Sequence, residues 1–210
     1  MSHPVYLSSS ALPRMPEGSH NEWQGFFGDG AELEANAFLP LFWRAMFTEE
    51  DIRHARFVDA YDIDDEDAAI EREECLDDFG PDATYPYLVT DNATAMQRLA
   101  ARREGVVSAI GECYRPMYEA FELFVAQRYP QHILLRTQGL PDVADAEPGL
   151  RSELAETDRL KDSPALADLM RDLQRHDTDA IWTLAGLGSS PGEAWPTPAL
   201  RERFADPRRR

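Results

Sequence analysis

Apolar positions recur at helical spacing over much of this chain. Leu39, Phe42, Trp43 and Met46 fall at i, i+3, i+4 and i+7, which predicts a buried helix over the block 38–47. Pro40 falls in its first turn, where a missing N–H costs little. Thr48 followed by Glu49, Glu50 and Asp51 has the form of an N-cap with acids near the positive end of the helix dipole, predicting a short helix to about Phe57. A solvated helix is expected over about 65–78, ended by Gly80-Pro81. Thr90-Asp91-Asn92 opens a long helix with Met96, Leu99, Val106, Val107 and Ile110 on one side, broken by Gly111 and Pro116. Met117, Phe121, Phe124, Val125 and Tyr129 give the next helix a strong apolar stripe. Leu150, Leu154 and Leu160 support a modest helix. Ser163-Pro164 starts another, whose Leu166, Leu169, Leu173, Ala180, Ile181 and Leu184 keep phase as far as Gly186.

Strand signals are fewer. Pro4–Ser8 reads as a short opening strand, residues 85–89 as a short strand or extended approach, and His132–Arg136 as a buried strand bounded by Pro130 and Gly139. The expected fold is therefore mainly α (α+β), a helical domain with two or three short strands. It is read as one globular domain over 1–188, followed by a Pro/Arg-rich tail over 189–210 that is extended or frayed.

Charge changes the picture more than composition does. The chain has 210 residues, 43% of them hydrophobic, enough for a real core, and a formal charge of −18. Residues 49–82 hold fifteen acids against three arginines, a net −12, whereas residues 83–140 come to +1. Such a surface repels nucleic-acid phosphates and anionic lipid and attracts a basic partner. No apolar run approaches the ~18–20 residues of a membrane helix. The start Met1-Ser2-His3-Pro4 lacks the basic and apolar segments of a secretory signal, so a cytoplasmic location is expected. Cys75 and Cys113 make neither a disulfide framework nor a CxxC pair.

Catalytic signatures are weak. Counting Asp62 as position 1 of a calcium loop puts Asp64, Glu66 and Glu73 at ligand positions, but Asp67 stands where the sharp turn demands Gly. A solvated acidic face is the better reading, with no metal site and no cofactor. The five histidines form no HExxH, and Gly186 to Gly192 completes no phosphate-loop pattern. Acidic neighbours of Cys75 oppose thiolate formation. Trp23, Phe26 and Phe27, in a loop-like segment, are candidate interface anchors or covers of the core; Trp195 is read as a cover.

The opening Val5-Tyr6-Leu7-Ser8-Ser9, the helix Leu39-Pro40-Leu41-Phe42-Trp43-Arg44 and the segment from Tyr114 to Leu135 resemble a bacterial family of small acidic proteins, with the likeness spanning residues 3–137. Proteins of this kind look like immunity proteins encoded beside antibacterial toxins of polymorphic or contact-dependent systems. The resemblance implies a non-enzymatic protein that occludes the basic active-site cleft of a cognate toxin; it carries over no catalytic residue. The expected partner-binding residues are Asp59, Asp62, Asp64, Asp65, Glu66, Asp67, Glu71 and Glu74, with Trp23, Phe26 and Phe27 as apolar anchors. The alternatives are a small metal-dependent hydrolase and an adaptor unrelated to toxins.

Overall fold

The computed structural model describes residues 4–16, 26, 30–57, 66–140, 145–175, 178–190 and 194–205. Its centre is a sheet. The strands are β1 (Pro4–Ser10), β2 (Glu32–Asn36), β3 (Ile52–Arg56), β4 (Thr84–Asp91), β5 (His132–Arg136) and β6 (Leu187–Gly188), in the order β3-β4-β5-β1-β2-β6. Every pairing is antiparallel. The helices among the described residues are α1 (Leu41–Arg44), α2 (Glu66–Phe79), α3 (Asn92–Ile110), α4 (Arg115–Arg128), α5 (Glu147–Thr157), α6 (Pro164–Leu173), α7 (Ala180–Ala185) and α8 (Pro198–Ala205).

A six-stranded antiparallel sheet corrects the expectation of a mainly helical domain with two or three short strands. β2 reads Glu-Leu-Glu-Ala-Asn, and only Leu33 and Ala35 reach the core. β3 reads Ile-Arg-His-Ala-Arg at the sheet edge, where one side of the backbone stays open to water and side chains can remain polar. Neither strand is apolar enough for its period to show. β4 is a full central strand of eight residues rather than a short approach.

Alternation along the strands divides the core. Val5, Leu7, Leu33, Ile52, Leu88, Ile133 and Leu135 face the main cluster, which includes residues of α1, α3, α4, α5, α7 and α8. Tyr85, Tyr87, Val89 and Leu134 face the opposite way, where Met15 and Phe26 cover them. The main cluster is rich in aromatic edges: Phe42 meets Tyr118 at 4.8 Å between ring centroids, and Phe121 meets Trp195 at 5.6 Å. Its buried polar tips are satisfied. Tyr118 donates to Leu99 O and Tyr129 to Leu7 O, each at 2.9 Å, and Trp43 Nε1 donates to Ala185 O at 2.7 Å.

The expected helix over 38–47 shrinks to α1, although Leu39, Phe42, Trp43, Met46 and Phe47 are all buried as the spacing implies. Arginines of α3 take over the carbonyls that a continued helix would use: Arg98 donates to Met46 O, and Arg102 to Ala45 O and Phe47 O. The expected helix to Phe57 is a single 3₁₀ turn, Glu49–Asp51, after which Ile52 turns into β3. Its cap is present, since Asp51 accepts from Thr48 N at 2.7 Å. The long helix read from Pro164 to Gly186 is two, because Asp179 starts α7 afresh by accepting from Ile181 N and Trp182 N. Beyond residue 189, α8 is helical, and Trp195, Leu200 and Phe204 are buried in the main cluster.

α3 and α4 follow the sequence closely. Asp91 caps α3 by accepting from Thr94 N at 2.9 Å and Thr94 Oγ1 at 2.7 Å, and Gly111 ends the helix at φ +113. Thr94's two bonds hold the Asp91 carboxyl below the usual carboxylate range. A depressed carboxyl contributes stability that is full above its unfolded pKa and is lost as pH falls through the folded value. Asp91→Ala is therefore expected to cost about 1 kcal/mol at neutral pH. Urea unfolding as a function of pH checks this, because the gap from wild type should close as Asp91 itself protonates in acid.

Candidate functional site

Two regions can receive a ligand or partner, on opposite sides of the sheet. The first is α2. Its C-terminal end is held by a ring stack: Phe79 lies on Phe57 with centroids 4.3 Å apart and planes 5° from parallel, and Phe57 packs on Tyr85 at 5.0 Å. Leu76 is half-buried, while Ile70, Glu73, Glu74, Asp77 and Asp78 are exposed. Ile70 and Phe79 retain 51% and 45% of their surface, so two large apolar groups stand among the carboxylates.

These carboxylates differ from many others on the protein. Several acids elsewhere meet arginines of the same chain: Asp51 with Arg98 at 2.6 Å, Asp158 with Arg102 at 2.7 Å, Glu32 with Arg136 at 3.0 Å, and Glu104 and Glu112 with Arg115 at 2.7 Å each. Among the described residues, no ion pair engages Glu73, Glu74, Asp77 or Asp78.

The expected partner-binding residues divide accordingly. Glu66, Asp67 and Glu71 take helical positions on α2, and Glu74 is exposed there. Asp59, Asp62, Asp64, Asp65, Trp23 and Phe27 lie outside the described residues. Phe26 is corrected as an anchor: it is 3% exposed and packs with Met15 and Leu134 against the sheet. A ring already covering a face of the sheet has no apolar area left for a partner. The positions from Glu66 to Glu73, the last eight of the twelve in the hypothetical calcium loop, are continuous helix.

The second region is a cleft of about 670 Å³ between α1, α5, α6 and α7. Phe38, Leu41, Leu169 and Trp182 form apolar walls, and Phe38 meets Trp182 edge-to-face at 6.0 Å. Arg44, Glu153 and Glu156 line one end. Arg44 is only 13% exposed, reaches Glu153 at 3.4 Å, and keeps a buried Nε without a hydrogen-bond partner among the described residues. Partial burial raises the Glu153 carboxyl above the usual range; Arg44 opposes that shift and Glu156 adds to it. Glu156 accepts from Ser163 Oγ at 2.6 Å. Sequence reasoning missed this cleft, since its lining residues are contributed by separate helices whose packing no local pattern encodes.

Register also aligns Ser10, His132 and Asp91 across β1, β5 and β4. The order suggests a Ser-His-Asp relay, but such a relay needs nucleophile, base and orienter joined by hydrogen bonds. Ser10 Oγ instead accepts from Leu12 N at 2.9 Å, and both Asp91 oxygens accept from Thr94. No group of three or more His, Cys, Asp or Glu is arranged to hold a metal ion among the described residues. Nor is any helix among them long and apolar enough to cross a membrane.

Fold and surfaces together define an α+β protein whose antiparallel sheet carries an acidic helix on one side, its described carboxylates in no ion pair among the described residues, and a half-apolar cleft among the helices on the other. No family model, no curated protein and no solved structure matches the chain.

Proposed function

We propose that this chain is a non-catalytic binding protein that captures a basic protein through α2, and that the partner is a toxin whose basic cleft it occludes in the cytoplasm. One observation carries the reading: Glu73, Glu74, Asp77 and Asp78 stand exposed together on one helix, with no described cation of their own chain to neutralise them, whereas Asp51, Asp158, Glu104 and Glu112 each meet an arginine. Carboxylates clustered without a described counter-charge project a field that steers a basic partner and can raise association toward ~10⁸–10⁹ M⁻¹s⁻¹. Ile70 and Phe79 supply the apolar contact that charge alone lacks. The immunity-protein reading is further supported by the resemblance carried by Val5 to Ser9 and Leu39 to Arg44. It has no need of metal or cofactor.

The test uses a Glu73→Gln, Glu74→Gln, Asp77→Asn, Asp78→Asn variant and, as the proposed partner, any toxin-like protein with a basic cleft encoded by a gene adjoining this one; the lack of such a neighbour would count against the toxin reading. Stopped-flow association at low salt should slow by about ten- to a hundredfold, the salt dependence should flatten, and dissociation should change little. Ile70→Ser should instead speed dissociation. An unchanged rate at low salt for the fourfold variant would remove α2 from the encounter.

A further inference from the structure

We propose that the cleft between α1, α5, α6 and α7 is a binding site for a small amphipathic cation, an aromatic or aliphatic body bearing one ammonium group. Its position on the helical side of the sheet separates it from α2, so the inference stands apart from toxin binding.

The shape is that of a ligand site rather than a packing fault. A volume of about 670 Å³ is within the range of small-molecule pockets, which are mostly apolar with a few convergent polar groups. Phe38 and Trp182 are half-buried and present ring surface to the cleft, and Leu169 of α6 faces them from the other wall. α6 closes that wall only partly: Leu169, on its apolar face, lines the cleft and is half-buried. An apolar body would complete that face.

Charge selects the head group. Three carboxylates, from Glu153, Glu156 and Asp172, line the cleft against the guanidiniums of Arg44 and Arg175. Arg44 is withdrawn at 13% side-chain exposure, whereas Glu153 keeps 46% and so presents its charge to an incoming group. The 3.4 Å contact from Arg44 is long for an ion pair, and a second cation beside Glu153 would oppose the upward shift that burial gives its carboxyl. Indole and phenyl faces attract ammonium groups as well. The whole chain at −18 concentrates cations near its surface.

The other candidates carry less. In the groove between the Glu49–Asp51 turn and α5, Arg98 and Arg151 are already bound to Asp51, Glu49 and Glu147. The pair of half-exposed Arg103 with buried Glu122, at 2.8 Å, opens into no cavity among those described.

The probes are 2-phenylethylammonium, its neutral analogue 2-phenylethanol and the anion phenylacetate, titrated into the full chain by calorimetry and by ¹⁵N spectra of the indole N–H groups. The Trp182 signal is assigned with Trp182→Phe. Expected are saturable one-to-one binding of the ammonium, a shift confined to Trp182 among the indoles, and binding at least about tenfold weaker for the neutral and anionic analogues. Glu153→Gln should weaken the ammonium at least about fivefold while leaving the other indole signals in place, and Glu156→Gln serves the same purpose if that variant does not fold. Absence of saturation at millimolar ammonium, equal or tighter binding of phenylacetate, or full affinity in both glutamine variants would overturn the proposal.

Discussion

Replacing Trp43 by Ala is expected to destabilise the protein by about 4 kcal/mol, a large share of the total stability of an ordinary domain. Trp43 has no exposed surface and is among the largest buried side chains. Its indole N–H is the partner of Ala185 O at 2.7 Å, so the truncation opens a cavity and orphans a buried carbonyl together. The effect is coupled to Gly186. A Cβ there would stand 2.4 Å from Trp43 Cζ2 and 2.8 Å from Glu34 O, on a backbone at φ +70. With ψ at −178, this conformation is essentially reserved for glycine. Gly186→Ala alone should cost about 3 kcal/mol, from overpacking and backbone strain combined. In the Trp43→Ala background the ring clash disappears and only strain and the Glu34 carbonyl remain, so the double variant should be less damaged than the sum of the two. Urea denaturation with constant m-values measures all three; strict additivity would contradict the contact.

Arg98→Met should cost about 3 kcal/mol, more than a surface ion pair, because it leaves a nearly buried carboxylate without its counter-charge. Asp51 is 8% exposed and binds Arg98 Nη1 at 2.6 Å. The same guanidinium donates to Met46 O at 3.0 Å and to Thr90 Oγ1 and Thr48 Oγ1 at 3.3 Å. One side chain of α3 thus ties the end of α1, the start of the 3₁₀ turn and β4 together. Asp51→Asn should lose less, since an amide oxygen can still accept from Thr48 N, and adding it to Arg98→Met should recover part of the loss. Thermal unfolding of the single and double variants gives the coupling directly.

Helices with their own caps and stripes were legible, and strands without them were not. α3 begins where Asp91 predicts and ends at Gly111, α4 carries the stripe of Met117, Phe121, Phe124 and Val125 inward, and β5 coincides with residues 132–136. β2 and β3 escaped because their polar residues face solvent or the sheet edge, and their pairing with distant strands decides their conformation. The acidic face of α2 was legible as charge, but Phe26 was misplaced as an anchor, since the sheet face that buries it assembles from strands far apart in sequence. The cleft left no sequence signal at all.

What the chain determined by itself is local: where helices start and stop through caps, glycine and proline, which faces are apolar, and that one segment is densely negative. Such properties depend on neighbours within a few residues, where spacing and side-chain chemistry act directly. Tertiary structure alone decided the sheet order, the shortening of α1 by arginines of α3, and the meeting of Arg44 with Glu153 across 109 positions of sequence. Those outcomes depend on which distant backbone groups and side chains satisfy one another once water is excluded, and that choice is made by packing rather than by pattern.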